Sequence, residues 1–80
     1  MLHTILRIPK IVSESGLSRS TIYSRAAEGL WPKLIKLGPR SVGQPASEVS
    51  TMNAAHISGK SEEEIRVLVL KLESARKSAE

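Results

Sequence analysis

The chain has no cysteine and no phenylalanine. The first absence removes a disulfide framework and any thiolate metal site, and it leaves the redox compartment open. The second leaves Trp31 and Tyr23 as the only aromatics, too few for a platform that stacks single-stranded bases. Histidine is scarce as well. His3 and His56 stand far apart with no third ligand at a useful spacing, so no metal site is expected. No apolar run approaches the roughly 20 residues of a membrane span, and no charged-then-apolar leader opens the sequence. Eighty residues make one small domain that buries only about 60–65% of its unfolded surface. So thin a core leaves little room for an enclosed active site, and no nucleophile–base pair is visible. Glu62, Glu63 and Glu64 fall where a helix N-terminus favours acids for dipole reasons alone. A non-enzymatic, cytoplasmic domain follows, with no membrane contact, no cofactor and no small-molecule ligand expected.

What is present is basic charge, and it is unevenly placed. Residues 1–45 carry seven lysines and arginines against two glutamates, a net +5, whereas residues 46–80 carry five against six, a net −1. The positive excess lies in the first half, which suits a polyanion partner, because neutralising phosphates releases counterions.

Local signals divide that half into short elements. "TILRI" (residues 4–8) is β-branched and reads as an edge strand. Pro9 suits the first turn of a helix, and Gly16 is its C-terminal cap. Ser18 is a good N-cap for a second helix, in which Ile22 and Ala26 face the core, with Tyr23 a further candidate; Gly29 ends it. Leu34, Ile35 and Leu37 are strand-like, and Gly38-Pro39 marks a turn before Ser41-Val42. "ASEVSTMNAAHISG" reads as a third helix closed by Gly59. Ser61 and Glu64 form a capping box that opens a last helix, with Arg76 and Lys77 at its other end.

Helix, glycine turn, helix and hairpin in that order make a mainly α fold with a small β-hairpin wing, a winged helix-turn-helix over residues 1–80. The helix-turn-helix spans about 9–29, the wing about 31–43 and the C-terminal helices about 45–78. Ile11, Leu17 and Ile22 would fix the angle between the first two helices, and Gly16 would supply the left-handed turn. A second helix held this way can enter the major groove. That gives its donors a purpose. Arg19 and Arg25 can pair with guanine or phosphate, while Ser18, Ser20, Thr21, Tyr23 and Ser24 can reach bases or phosphate oxygens. Lys33, Lys36 and Arg40 lie on or beside the hairpin, where a second contact on the minor groove or its phosphates is expected.

The segment "ILRIPKIVSESGLSRSTIYSRAAEGLWPKLIKLGPRSVG" resembles the AlpA family of prophage transcriptional regulators, a branch of the MerR-like and excisionase-like winged-helix group. "GLSRSTIY" and "WPKLIKLGPR" are the most specific parts. The resemblance implies that the second helix is the recognition helix, that the hairpin is the wing, and that the chain regulates prophage genes or serves as an excisionase. The family pattern "GW…SEV…W" is only partly kept. Ser47-Glu48-Val49 is retained, but Gln44 and Met52 stand where aromatics are usual, and Trp31 is expected to take over part of that apolar area.

The last helix carries a stripe of Ile65, Leu68, Val69 and Leu72, with Val67 and Leu70 off it. Two coverings fit: an entirely intramolecular core, or one face on the domain and the other on a second copy, giving a homodimer or cooperative self-association. The leading function is a sequence-specific, double-stranded DNA-binding regulator of transcription. An excisionase that bends DNA shares every contacting feature. A packaging module would need a longer assembly segment, and a pure protein-interaction domain would show no salt-sensitive DNA binding.

Overall fold

The computed structural model describes residues 3–78. Its first strand, β1 (Ile5–Arg7), passes directly into helix α1 (Ile8–Ser15), so the strand read over residues 4–8 is shorter than its sequence suggested. The reason is Pro9. It sits in the first turn of α1, where a missing N–H costs nothing and a fixed φ already suits the helix. Gly16 ends α1 at φ 73°, its N–H donating to Val12 O. A side chain in this left-handed conformation would be strained, which makes glycine the natural residue for the sharp turn. Ser18 then caps α2 (Arg19–Ala27), its Oγ accepting the Thr21 N–H. Past the end of α2, the Leu30 N–H closes back on Arg25 O at 2.8 Å.

The hairpin consists of β2 (Ile35–Gly38) and β3 (Ser41–Pro45), turning at Pro39-Arg40. The strands start later than residue 31, because Trp31 and Pro32 are buried as irregular chain before the wing begins. β3 is the centre of a three-stranded antiparallel sheet of order β1-β3-β2. β1 is therefore the outer strand on the far side of the hairpin. Ile5, Leu6 and Arg7 lie opposite Pro45, Gln44 and Gly43, and Ile35 and Lys36 lie opposite Gly43 and Val42. Ile5 and Leu37 cross over Gly43. An added Cβ there would lie 2.7 Å from Ile5 Cγ2 and 2.9 Å from the Leu6 carbonyl oxygen, so the sheet needs glycine at this position.

Helix α3 (Ala46–Ile57) follows β3 without a loop, and α4 (Glu62–Ala75) opens on the full Ser61/Glu64 capping box. A 3₁₀ turn, Arg76–Ser78, finishes the described chain. Ile11, Ile22, Trp31, Val49, Met52, Ala55, Ile65 and Val69 form one core, drawn from every helix and from the segment before the wing. Burying these side chains contributes about 1.5–3 kcal/mol for each large one, and it fixes α1, α2, α3 and α4 around a common centre.

The two departures from the aromatic pattern are both resolved inside this core. Met52 is fully buried and fills apolar space. Gln44 is also fully buried. Its Oε1 accepts the Trp31 indole N–H at 2.7 Å, and its Nε2 donates to Pro32 O at 2.9 Å. Thus the glutamine satisfies both the tryptophan and the backbone that carries it, and no buried side-chain polar atom is left unpaired among the described residues. His56 stacks on Trp31 with ring centroids 6.2 Å apart.

A second long-range tie closes the C-terminal end. Glu48, in the first turn of α3, is almost fully buried and receives two hydrogen bonds from Arg76, at 2.7 Å from Nε and 2.6 Å from Nη2. Arg76 Nη2 also donates to Lys33 O at 2.7 Å, and the Lys33 N–H donates to Glu73 Oε2 at 2.9 Å. The Glu48 carboxylate beside it raises the Arg76 pKa further, against the opposing effect of burial. The end of α4 is thereby fastened to the root of the wing.

Candidate nucleic-acid interface

Helix α2 turns by about 100° per residue, and its inward direction is marked by buried Ile22 and half-buried Ala26. Ser20 and Ser24 therefore point directly away from the core. Arg19 and Tyr23 lie on one flank, Thr21 and Arg25 on the other. Tyr23 is 41% exposed, which corrects its reading as a core candidate; the ring lies at the side of the helix, with the Arg19 guanidinium 5.9 Å from its centroid. At the helix start, Ser18 Oγ donates to Thr21 Oγ1 at 2.8 Å and lies 3.3 Å from Ser20 Oγ. Three hydroxyls thus cluster at the N-terminal turn, where the unpaired backbone N–H groups and the helix dipole favour an anion. The first turn of α2 holds no acid.

Arg25 is set differently. It is half-buried and lines an open 360 Å³ cleft with Glu28, Leu30, His56 and Lys60. Burial lowers the His56 pKa, and the positive charge of Arg25 lowers it further. Arg25 thus shares the α2 surface with Thr21 but faces the α3–α4 junction, apart from Arg19.

The wing carries Lys36 in β2 and Arg40 at the turn, both exposed. Arg7 joins them across the sheet, its Nη2 donating to Ser41 Oγ at 3.2 Å. Arg7 was not among the residues picked from sequence. The strand pairing that brings it to the hairpin spans more than thirty positions, and only the basic character of the N-terminal half hinted at it. Lys33 stands at the root of the wing, two residues before β2. Its backbone is held by Glu73 and Arg76, and it lines a 360 Å³ cleft with Glu28, Arg66 and Leu70 beside α4. The structure therefore gathers Ser18, Arg19, Ser20, Thr21, Tyr23 and Ser24 on α2, groups Lys36 and Arg40 with Arg7 on the sheet, and holds Lys33 at the wing root, against α4.

A glycine-turned helix pair with a capped second helix and an adjacent hairpin is a winged helix-turn-helix. Comparison with known proteins identifies which kind. The family model described as "Prophage CP4-57 regulatory protein (AlpA)" matches residues 4–52, from β1 through the first half of α3, and the chain belongs to this family of phage regulatory proteins. It is also similar to the "Uncharacterized protein ORF88" of Enterobacteria phage P4, with 40% identity over 55 residues, covering 69% of this chain. The match spans 62% of the length of that relative. No solved structure gives a significant match. No helix among the described residues is long and apolar enough to cross a membrane.

Proposed function

We propose that the protein is a sequence-specific double-stranded DNA-binding regulator of prophage or mobile-element genes, acting in the cytoplasm. The observation that carries this reading is the exposed face of α2. From Ser18 to Ser24 it offers guanidinium, hydroxyl and phenol groups with no carboxylate, on a helix whose angle is set by the Ile11–Leu17–Ile22 contact region. Membership of a phage regulatory family supports the same conclusion.

Ser20 and Ser24 are short, so the α2 backbone can approach the major-groove floor closely. Arg19 is long enough to reach a guanine edge from the flank, and Tyr23 can give its hydroxyl to a phosphate while its ring backs Arg19. Ser18 keeps its capping role and offers the helix start to a phosphate. Thr21 and Arg25 meet the opposite backbone, and Lys36 and Arg40 add wing contacts to phosphates or the minor groove. Lys33, at the wing root, extends these contacts along the phosphates.

Titrations of duplex DNA at several salt concentrations test the assignment. Arg19→Ala should weaken the preferred site by about 1–3 kcal/mol and relax specificity at one position, whereas Lys36→Ala should weaken all sequences alike and reduce the salt slope by roughly one. Unchanged affinity in both variants would remove α2 and the wing as the interface. A bend measured on the preferred site would favour the excisionase role, and straight DNA the transcriptional one.

A further inference from the structure

We propose that the outward face of α4 docks a second copy of this chain, the two helices lying antiparallel. Directly opposite the buried Ile65 and Val69, α4 presents Glu63, Val67, Leu70 and Ser74, recurring at intervals of four, three and four residues. This is the spacing of a coiled-coil seam. All four are exposed, Val67 by 53% and Leu70 by 67%. The domain already covers the inner stripe of Ile65, Leu68, Val69 and Leu72, and it leaves most of Val67 and Leu70 uncovered.

The flanks of the seam select the partner and its direction. One flank carries Glu64 and Lys71, and the other carries Arg66 and Glu73. In an antiparallel pair, like flanks meet. With Val67 against Leu70 of the second copy, Glu64 falls beside Lys71 of that copy and Arg66 beside its Glu73, each pair occurring twice about the two-fold axis. In a parallel pair, Arg66 would instead face Lys71, a repulsive contact. The charge pattern is therefore self-complementary in one orientation only. The contacts that these groups make within the domain each use only part of the charged group. Glu64 uses Oε1 for the Ser61 N–H and Glu73 uses Oε2 for the Lys33 N–H, while Arg66 makes only an exposed 3.8 Å contact to Glu62 and a 3.3 Å bond to Glu28 O.

Fourteen residues give a helix about 21 Å long, and this area falls short of a stable standard interface. The association is weak, of the kind that matters when two copies sit on neighbouring sites. It can be measured on the free protein, so its outcome does not depend on the DNA-binding reading. The natural chain has no cysteine, so Lys77→Cys carries a single nitroxide label. That labelled copy is mixed with isotope-labelled, unmodified protein at about 1 mM, the top of the weak-binding range. Antiparallel docking broadens amide signals near residues 60–64 of the unmodified copy. Broadening near residue 77, or none between copies, would overturn the proposal. Lys71→Glu adds a second test on an exposed side chain. It should weaken antiparallel association about tenfold by setting glutamate against Glu64, whereas stronger association would indicate the parallel pair and overturn the orientation.

Discussion

Glu48→Gln removes one charge from the most buried ion pair among the described residues and leaves the side-chain shape almost unchanged. Glu48 keeps 5% of its side-chain exposure and Arg76 23%, and two bonds of 2.7 and 2.6 Å join them. In the variant the guanidinium retains Lys33 O, yet only one carboxamide oxygen replaces two anionic acceptors. Breaking a fully buried pair costs about 3–5 kcal/mol, and a hydrogen bond to a charged group contributes about 1.5–3. Because Arg76 keeps a solvent edge, the expected loss is about 2–3 kcal/mol. For a domain of this size each kcal/mol lowers Tm by roughly 4–8 °C, so thermal unfolding followed by circular dichroism should fall by about 10–20 °C. Arg76→Met should cost a similar amount, and the double variant should cost clearly less than both together, because the two side chains share one interaction. A loss below about 0.5 kcal/mol for Glu48→Gln, or strict additivity in the cycle, would refute the claim that this pair fastens the end of α4 to the wing root.

Other substitutions test separate parts of the fold. Gly43→Ala should destabilise by about 1–3 kcal/mol in chemical denaturation, because the new methyl meets Ile5 and the Leu6 carbonyl below normal contact distance; unchanged stability would contradict the sheet register. Gln44→Leu keeps the volume but strands the Trp31 indole N–H and Pro32 O, with an expected loss of about 2–4 kcal/mol and a shift in tryptophan fluorescence. His56 gives a pH dependence of defined sign. Its pKa is lowered in the folded state, so the unfolded chain binds the proton more readily. The associated stability is present above the unfolded histidine pKa and is lost as pH falls through the lower folded value. Denaturation midpoints should therefore decline below about pH 6.5, with a smaller decline in His56→Gln; identical profiles would remove His56 as the cause.

Caps and turns were legible in the sequence because their chemistry is local. Gly16, Ser18, Gly59 and the Ser61/Glu64 box act within a few residues of where they stand, and each sits at the helix end its residue type indicates. The core residues Ile11 and Ile22 were legible from helical spacing. The long-range ties were not. Nothing local links Gln44 to Trp31 or Arg76 to Glu48, although Glu48 belongs to the retained Ser47-Glu48-Val49 segment and its burial gives that retention a packing reason. The ties of Lys33 were hidden for the same cause. Its position next to the hairpin in sequence says nothing of the Glu73 and Arg76 bonds that draw its backbone to α4. Tyr23 falls at the border of the apolar stripe of α2, where spacing alone cannot decide between core and surface. Arg7 became visible as a neighbour of the wing only through the pairing of β1 with β3.

The reading of α2 as a recognition helix is tested most directly by selecting bound duplexes from a random DNA pool at near-physiological salt, with the unmodified protein and with Arg19→Ala in parallel. The unmodified chain should enrich a short common sequence, and the variant should lose preference at one or two of its positions while retaining the rest. Enrichment of the same sequence by both would detach Arg19 from base recognition. No enrichment, with weak binding that vanishes as salt rises, would reduce the basic half to a nonspecific electrostatic surface and contradict the proposed function.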